Sequence, residues 1–150
     1  MKRYVRSDDK IRNSTSSKLI TDPSVPLTNS DVKRVKSVNI PSELSEFNAS
    51  RLDLLSNLQK IEVDDKNSNY CSIDGVLFSS DKSTLIKFPR GRSGEYIVPV
   101  STTVIGEGAF EESTKIASIK LPPNLKLIEK QLLEIVIACS LLLFLSQPRR

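Results

Sequence analysis

Tyr96 to Leu125 reads YIVPVSTTVIGEGAFEESTKIASIKLPPNL, and one dipeptide in it returns: Val98-Pro99 recurs 23 positions later as Leu121-Pro122. The same step takes Ile105 to Ile128. Further up the chain it takes Val35 to Leu58, Val38 to Ile61 and Ile40 to Val63. A fixed period between about 20 and 50 residues is the signature of a solenoid, and it outranks any local reading. The 150 residues make one domain or a piece of one. Apolar residues are 38% and aromatic residues 5%, with no tryptophan, so the core must be aliphatic and shallow. A one-dimensional stack suits that composition, because each unit buries its apolar edge only against its neighbours.

Charge and chemistry narrow the function classes. Much of the basic excess behind the net charge of +4 precedes Ser37, in residues such as Arg3, Arg6, Arg12, Lys33 and Arg34. No set of aromatic residues is interleaved to stack bases, so residues 1–34 read as a solvated, weakly ordered basic segment and nucleic acid as an unlikely partner. Histidine is absent, which removes the commonest general base and metal ligand. Cys71 and Cys139 lie far apart and make neither a metal spacing nor a disulfide framework. Glu111 and Glu112 are adjacent on a turn, where carboxylates are solvated. The expectation is therefore no enzyme, no catalytic residue, no cofactor and no metal. MKRYVRSDDK is positive, but no apolar run follows it, so no signal peptide is visible and localisation stays unknown from the residues.

Taken in order, Tyr4 to Pro23 lies over Tyr70 to Pro89 at a constant offset of 66, like a decayed duplicate, with Asp9 where Gly75 stands. From Val35 a first repeat is legible. Val38 and Ile40 alternate with polar residues as in a strand with one face buried, and Pro41 ends it. Leu52, Leu55 and Leu58, three apart, predict a helical or 3₁₀ turn on the far side of the coil. Asp64 to Asn69 (DDKNSN) predicts a turn and lacks the ligand alternation and glycine of a calcium loop. Tyr70-Cys71-Ser72 and Val76-Leu77-Phe78 flank Asp74-Gly75, a tight-hairpin signal. Thr84 to Phe88 follows as a third strand, giving a meander expected to interrupt the solenoid and project from one edge. Arg90-Gly91-Arg92-Ser93-Gly94 reads as a solvated turn, since a phosphate cradle needs a helix start where a strand follows. Ala109-Phe110 supplies one small and one large residue to the coil interior.

These residues resemble the BspA-like, treponemal-type leucine-rich repeats, which run roughly LxxIxLPxxLxxIGxxAFxxCxxLxxI and often carry an insertion NxxYxSxDGVLFxxDKxxLIxYPxGK. The insertion is matched by Asn67, Tyr70, Ser72, Asp74 to Phe78, Asp81-Lys82, Leu85-Ile86, Pro89 and Gly91-Arg92. Ser113 stands where the family has Cys, and Asn48 and Glu129 where it has Gly. The resemblance implies a mainly β or α/β solenoid, a short leucine-rich repeat stack with parallel strands and an inserted β-hairpin meander. Its domain would be residues 35–130, with the insertion at 64–95. It also implies a non-catalytic, cell-surface adhesion or antigen type of protein that binds a host, matrix or cell-surface protein. The outward strand positions Asn39, Glu62, Ile97 and Lys120, flanked by Ser37, Lys60 and Ser118, are the candidate protein-binding face.

After Lys130 the pattern breaks into QLLEIVIACSLLLFLSQPRR. An anchor over residues 132–145, the only route to a membrane partner, has 14 residues and includes Glu134. A span needs roughly 20. If residue 131 onward is encoded CAG CTT TTA GAA ATT GTT ATA GC, the frame from the third base gives Ala-Phe-Arg-Asn-Cys-Tyr-Ser, in register with the repeat at Ala109. A one-base slip is thus the expectation for residues 131–150, ahead of a tail anchor or a divergent last repeat. The alternatives for the whole chain are a truncated product without independent function or a tail-anchored membrane protein.

Overall fold

The computed structural model describes residues 28–129. The readings on Tyr4 to Pro23 and on residues 131–150 lie outside the described residues. Within them the chain winds as a β-solenoid whose coils lay strands on two parallel ladders. On the first, β1 (Ser37–Ile40) pairs in parallel with β2 (Lys60–Val63), joining Val38 to Ile61 and Ile40 to Val63. The sequence period of 23 is this register. Inward residues Val38, Ile40 and Ile61 are buried while Ser37, Asn39, Lys60 and Glu62 are exposed, as a pleat with one dry face requires.

The second ladder is built from β5 (Thr84–Lys87), β7 (Val104–Ile105) and β9 (Leu127–Ile128), with Leu85, Ile105 and Ile128 in one row. After β5 the first type of rung resumes, as β6 (Gly94–Ile97) against β8 (Ile116–Lys120), with Ile97 beside Lys120. The expected turn at Leu52 is a 3₁₀ helix, Ala49–Leu54. Asn48 caps it, its side chain accepting from the Ser50 N–H at 3.0 Å. Leu52, Leu55 and Leu58 are all buried behind it.

Two expectations need correction. The segment expected to stay weakly ordered to residue 34 is helical at its end, as α1 (Asn29–Arg34). Six residues do not hold a helix alone. Here the Ser56 hydroxyl and the Asn57 amide, one coil on, donate to the carbonyls of Val32 and Lys33 at 3.3 and 2.9 Å. The meander, in turn, does not project from an edge. β3 (Tyr70–Ile73) and β4 (Val76–Ser79) form the expected hairpin, with Asp74 and Gly75 both at positive φ in its turn. Its third strand, β5, is itself the first rung of the second parallel ladder.

The hairpin divides the interior. Val76, Leu77 and Phe78 are each fully buried. Leu77 joins the core of Val38, Ile40, Leu52, Leu55, Leu58 and Ile61, while Val76 and Phe78 join that of Leu85, Phe88, Tyr96, Ile105, Phe110 and Ile119. Successive side chains of a strand point to opposite faces, so β4 is a wall with a core on each side. The hairpin also lies along β2: the Ile61 N–H donates to the Gly75 carbonyl at 2.8 Å, and the Ser72 hydroxyl donates to the Ile61 carbonyl at 2.6 Å.

Candidate functional site

The four outward strand residues fall into two in-register pairs. Asn39 sits beside Glu62 on β1 and β2, and Ile97 sits beside Lys120 on β6 and β8. All four are exposed, Ile97 to 63%. The flanking Ser37 and Lys60 are exposed too, and Ser118 is half-buried. The ribbon is not continuous between the pairs. The hairpin turn at Asp74-Gly75 stands at the outer edge of β2, and an open notch of about 950 Å³ lies there, lined by Asn39, Lys60, Glu62, Ser72, Asp74 and Arg92 among others.

Both charges of the candidate face are already engaged within it. Glu62 pairs with Lys60, and Lys120 pairs with Glu95 at 2.7 Å. Exposed pairs of this kind contribute little to stability, so they remain open to exchange for a partner's charges. Ile97 has no such neighbour to satisfy it, and Val100, 76% exposed, is the next outward apolar side chain along the chain. Spacing alone identified Ile97. The exposure of Val100 follows from its place beyond the strand end, which periodicity does not reveal.

The arginine loop is corrected: its arginines are structural ties, and the turn is not simply solvated. Arg90 donates to the Asp53 carbonyl at 2.5 Å and to the Glu112 carboxylate at 3.1 Å, joining parts of the chain 37 and 22 residues away. Arg92 bonds both the carbonyl and the carboxylate of Asp74, the latter at 2.5 Å. Its guanidinium also lies 5.7 and 5.5 Å from the ring centroids of Phe88 and Tyr96. Gly91 between them is buried, and a Cβ there would lie 2.4 Å from the Asn57 carbonyl carbon. An arginine followed by a strand looks like surface in any local window, because its partners are remote in sequence.

Two further buried polar groups escape a sequence reading. Lys87, on an inward position of β5, donates to the Asp53 carboxylate and to the Gly108 carbonyl, both at 2.6 Å. Burial pushes the Asp53 carboxyl above its ordinary value, against the opposing pull of Lys87. Asn67 closes the Asp64–Asn69 turn. Its amide donates to the carbonyls of Pro41 and Leu44 at 2.8 and 2.9 Å, and its oxygen accepts from the N–H groups of Asn69 and Tyr70 at 2.9 Å each. Burial also raises the Tyr96 phenol and the Cys71 thiol. Among the described residues no three His, Cys, Asp or Glu side chains gather as a metal site.

Residues 87–142 match the family described as "BspA type Leucine rich repeat region (6 copies)". Residues 87–142 therefore carry BspA-type leucine-rich repeats, which agrees with the parallel ladders described there. No curated protein matches it. Among solved structures, a leucine-rich repeat protein from Eubacterium ventriosum is similar over 63% of this chain and 26% of its own, at 24% identity and a TM-score of 0.58. The pneumococcal vaccine antigen PcpA is similar over 62% of this chain and 29% of its own, at 22% identity and a TM-score of 0.52. At these identities the likeness is one of fold. The chain spans between a quarter and a third of the length of either structure.

Proposed function

We propose that this chain is a non-catalytic leucine-rich repeat module that binds a protein partner, of the cell-surface adhesion or antigen type, through the strand face of Asn39, Glu62, Ile97 and Lys120. The observation that carries the reading is Ile97, a large aliphatic side chain 63% exposed on a β-strand, with Lys120 beside it and the notch at the neighbouring ladder. A solvent-facing strand position commonly holds a polar residue, and an apolar one set among exchangeable ion pairs has the layout of an interface centre with a polar rim. The repeat architecture supports it, since solenoids present extended surfaces. So does the presence of a vaccine antigen among chains of similar fold.

The test is binding of the soluble chain to immobilised matrix and host cell-surface proteins, repeated with Ile97→Asp. A partner held through this face loses at least tenfold in affinity, about 1.4 kcal/mol or more, with the substitution. Equal binding by both proteins removes the face from the proposal. Binding by neither removes the adhesion reading itself.

A further inference from the structure

The first ladder stops beside the hairpin and leaves part of a strand edge open. The Lys60 and Asp64 N–H groups, at the two ends of β2, donate to the Lys36 and Ile40 carbonyls at 3.1 and 2.9 Å. Alternate residues of a strand face the same neighbour, so Ile61 and Val63 turn their backbone groups away from β1. The hairpin satisfies only Ile61, whose N–H donates to the Gly75 carbonyl and whose carbonyl accepts from the Ser72 hydroxyl. Among the described residues the N–H and C=O of Val63 have no partner, and β2 pairs with no strand but β1. β3 repeats the pattern across the gap. The Ser80 N–H donates to the Asn69 carbonyl at 3.0 Å, which sets Asn69, Cys71 and Ile73 toward β4 and turns the backbone groups of Ser72 away from it. Val63 and Ser72 both line the open notch of about 950 Å³.

We propose that this notch takes an extended segment of the partner protein, which forms main-chain hydrogen bonds at Val63 and sets a lysine or arginine against Asp64 and Asp65. The proposal rests on the protein-binding reading of the strand face and narrows it to a class of peptide. The main chain supplies half of the argument. An open strand edge is a template for another strand, and an extended peptide adds to it through backbone bonds while its side chains set the specificity. Charge supplies the other half. Of the ionic side chains lining the notch, Lys60 is paired with Glu62 and Arg92 with Asp74. Two exposed carboxylates, Asp64 and Asp65, are then left against one ammonium, Lys66, and they follow Val63 directly in the chain. Charges along an edge guard it against indiscriminate pairing, and here their balance selects a cationic segment. Asn39 and Glu62 belong both to the notch and to the candidate face, so the two surfaces are continuous at β2.

The experiment selects a displayed library of random linear peptides on the full chain and titrates the winners against it. The selected peptides are expected to carry Lys or Arg and to lose at least about tenfold in affinity with Asp65→Lys and with Val63→Pro. Proline at an edge position turned away from β1 removes no ladder bond. Asp65→Lys alters only an exposed turn, so the test stands even where the proline variant fails to fold. N-methylation of alternate peptide residues abolishes binding in one of its two registers. Bound peptide slows hydrogen exchange at the Val63 amide and leaves the Ile61 amide, already bonded, unchanged. A library that yields no binder, or binders indifferent to both substitutions, overturns the proposal. Binders weakened by Ile97→Asp alone also overturn it, and they leave the strand face standing as a protein-binding surface.

Discussion

The two interiors on either side of β4 are filled differently by the same repeat. Before the hairpin the fully buried residues among those described are all aliphatic, and their one aromatic contact, Phe47 with Tyr70 at 5.4 Å edge to face, sits at the rim. After it, Phe88, Tyr96 and Phe110 form a cluster with centroids 4.9 to 6.3 Å apart. The ladders on both sides keep a step of 23. A solenoid register thus dictates where apolar side chains must point and leaves their shape to local packing. That is why β4 is needed as a partition, offering Leu77 to one filling and Val76 and Phe78 to the other. The halves are nonetheless tied, by Lys87 to Asp53 and by Arg90 to both Asp53 and Glu112.

The largest effects separate the two interiors. Phe110→Ala removes a ring stacked on Phe88 and is expected to cost about 3–5 kcal/mol, and Leu55→Ala on the other side about 2–5 kcal/mol. Urea unfolding read by backbone and by aromatic signals decides whether the partition also divides the cooperativity. A single shifted transition in both variants makes the stack one unit, and two transitions that move independently make it two.

A smaller effect tests the seam. Gly91 packs against the Asn57 backbone, and its N–H donates to the Leu58 carbonyl at 2.6 Å. Gly91→Ala must push two stretches of backbone apart and is expected to cost about 1–3 kcal/mol. Stability equal to that of the parent would mean the halves are held loosely enough to slide.

The smallest effect concerns pH. The folded-state pKa of Asp53 is raised by burial, so the folded chain holds its proton more tightly than the unfolded one. Its contribution is present in full below the unfolded carboxyl value, about 4, and is lost as pH rises through the raised value. Asp53→Asn should therefore flatten the stability profile in that window. A profile that keeps its slope assigns the pH dependence elsewhere.

Much of the architecture is legible in the sequence. The period of 23, the 3₁₀ turn under Leu52, Leu55 and Leu58, and the Asp74-Gly75 hairpin all rest on interactions between near neighbours or on strict repetition. What was not legible depends on unrepeated long-range contacts. Val76-Leu77-Phe78 announces a buried strand, but only the two cores show that it is buried on both sides. Lys87 looks like an ordinary strand-end cation until Asp53, 34 residues earlier, is found beneath it. Of the candidate face, exposure followed from the pleat. Its division by the hairpin did not, because the insertion has no counterpart in the repeat.

A strand dry on both faces also carries a consequence for descent. Ordinary solenoid strands have alternate positions free to drift, so their surfaces diversify rapidly while their spines persist. β4 has no free position across three consecutive codons, since any change at 76, 77 or 78 is felt in one compartment or the other. The partition should therefore be the slowest-changing part of a stack that keeps its two interiors.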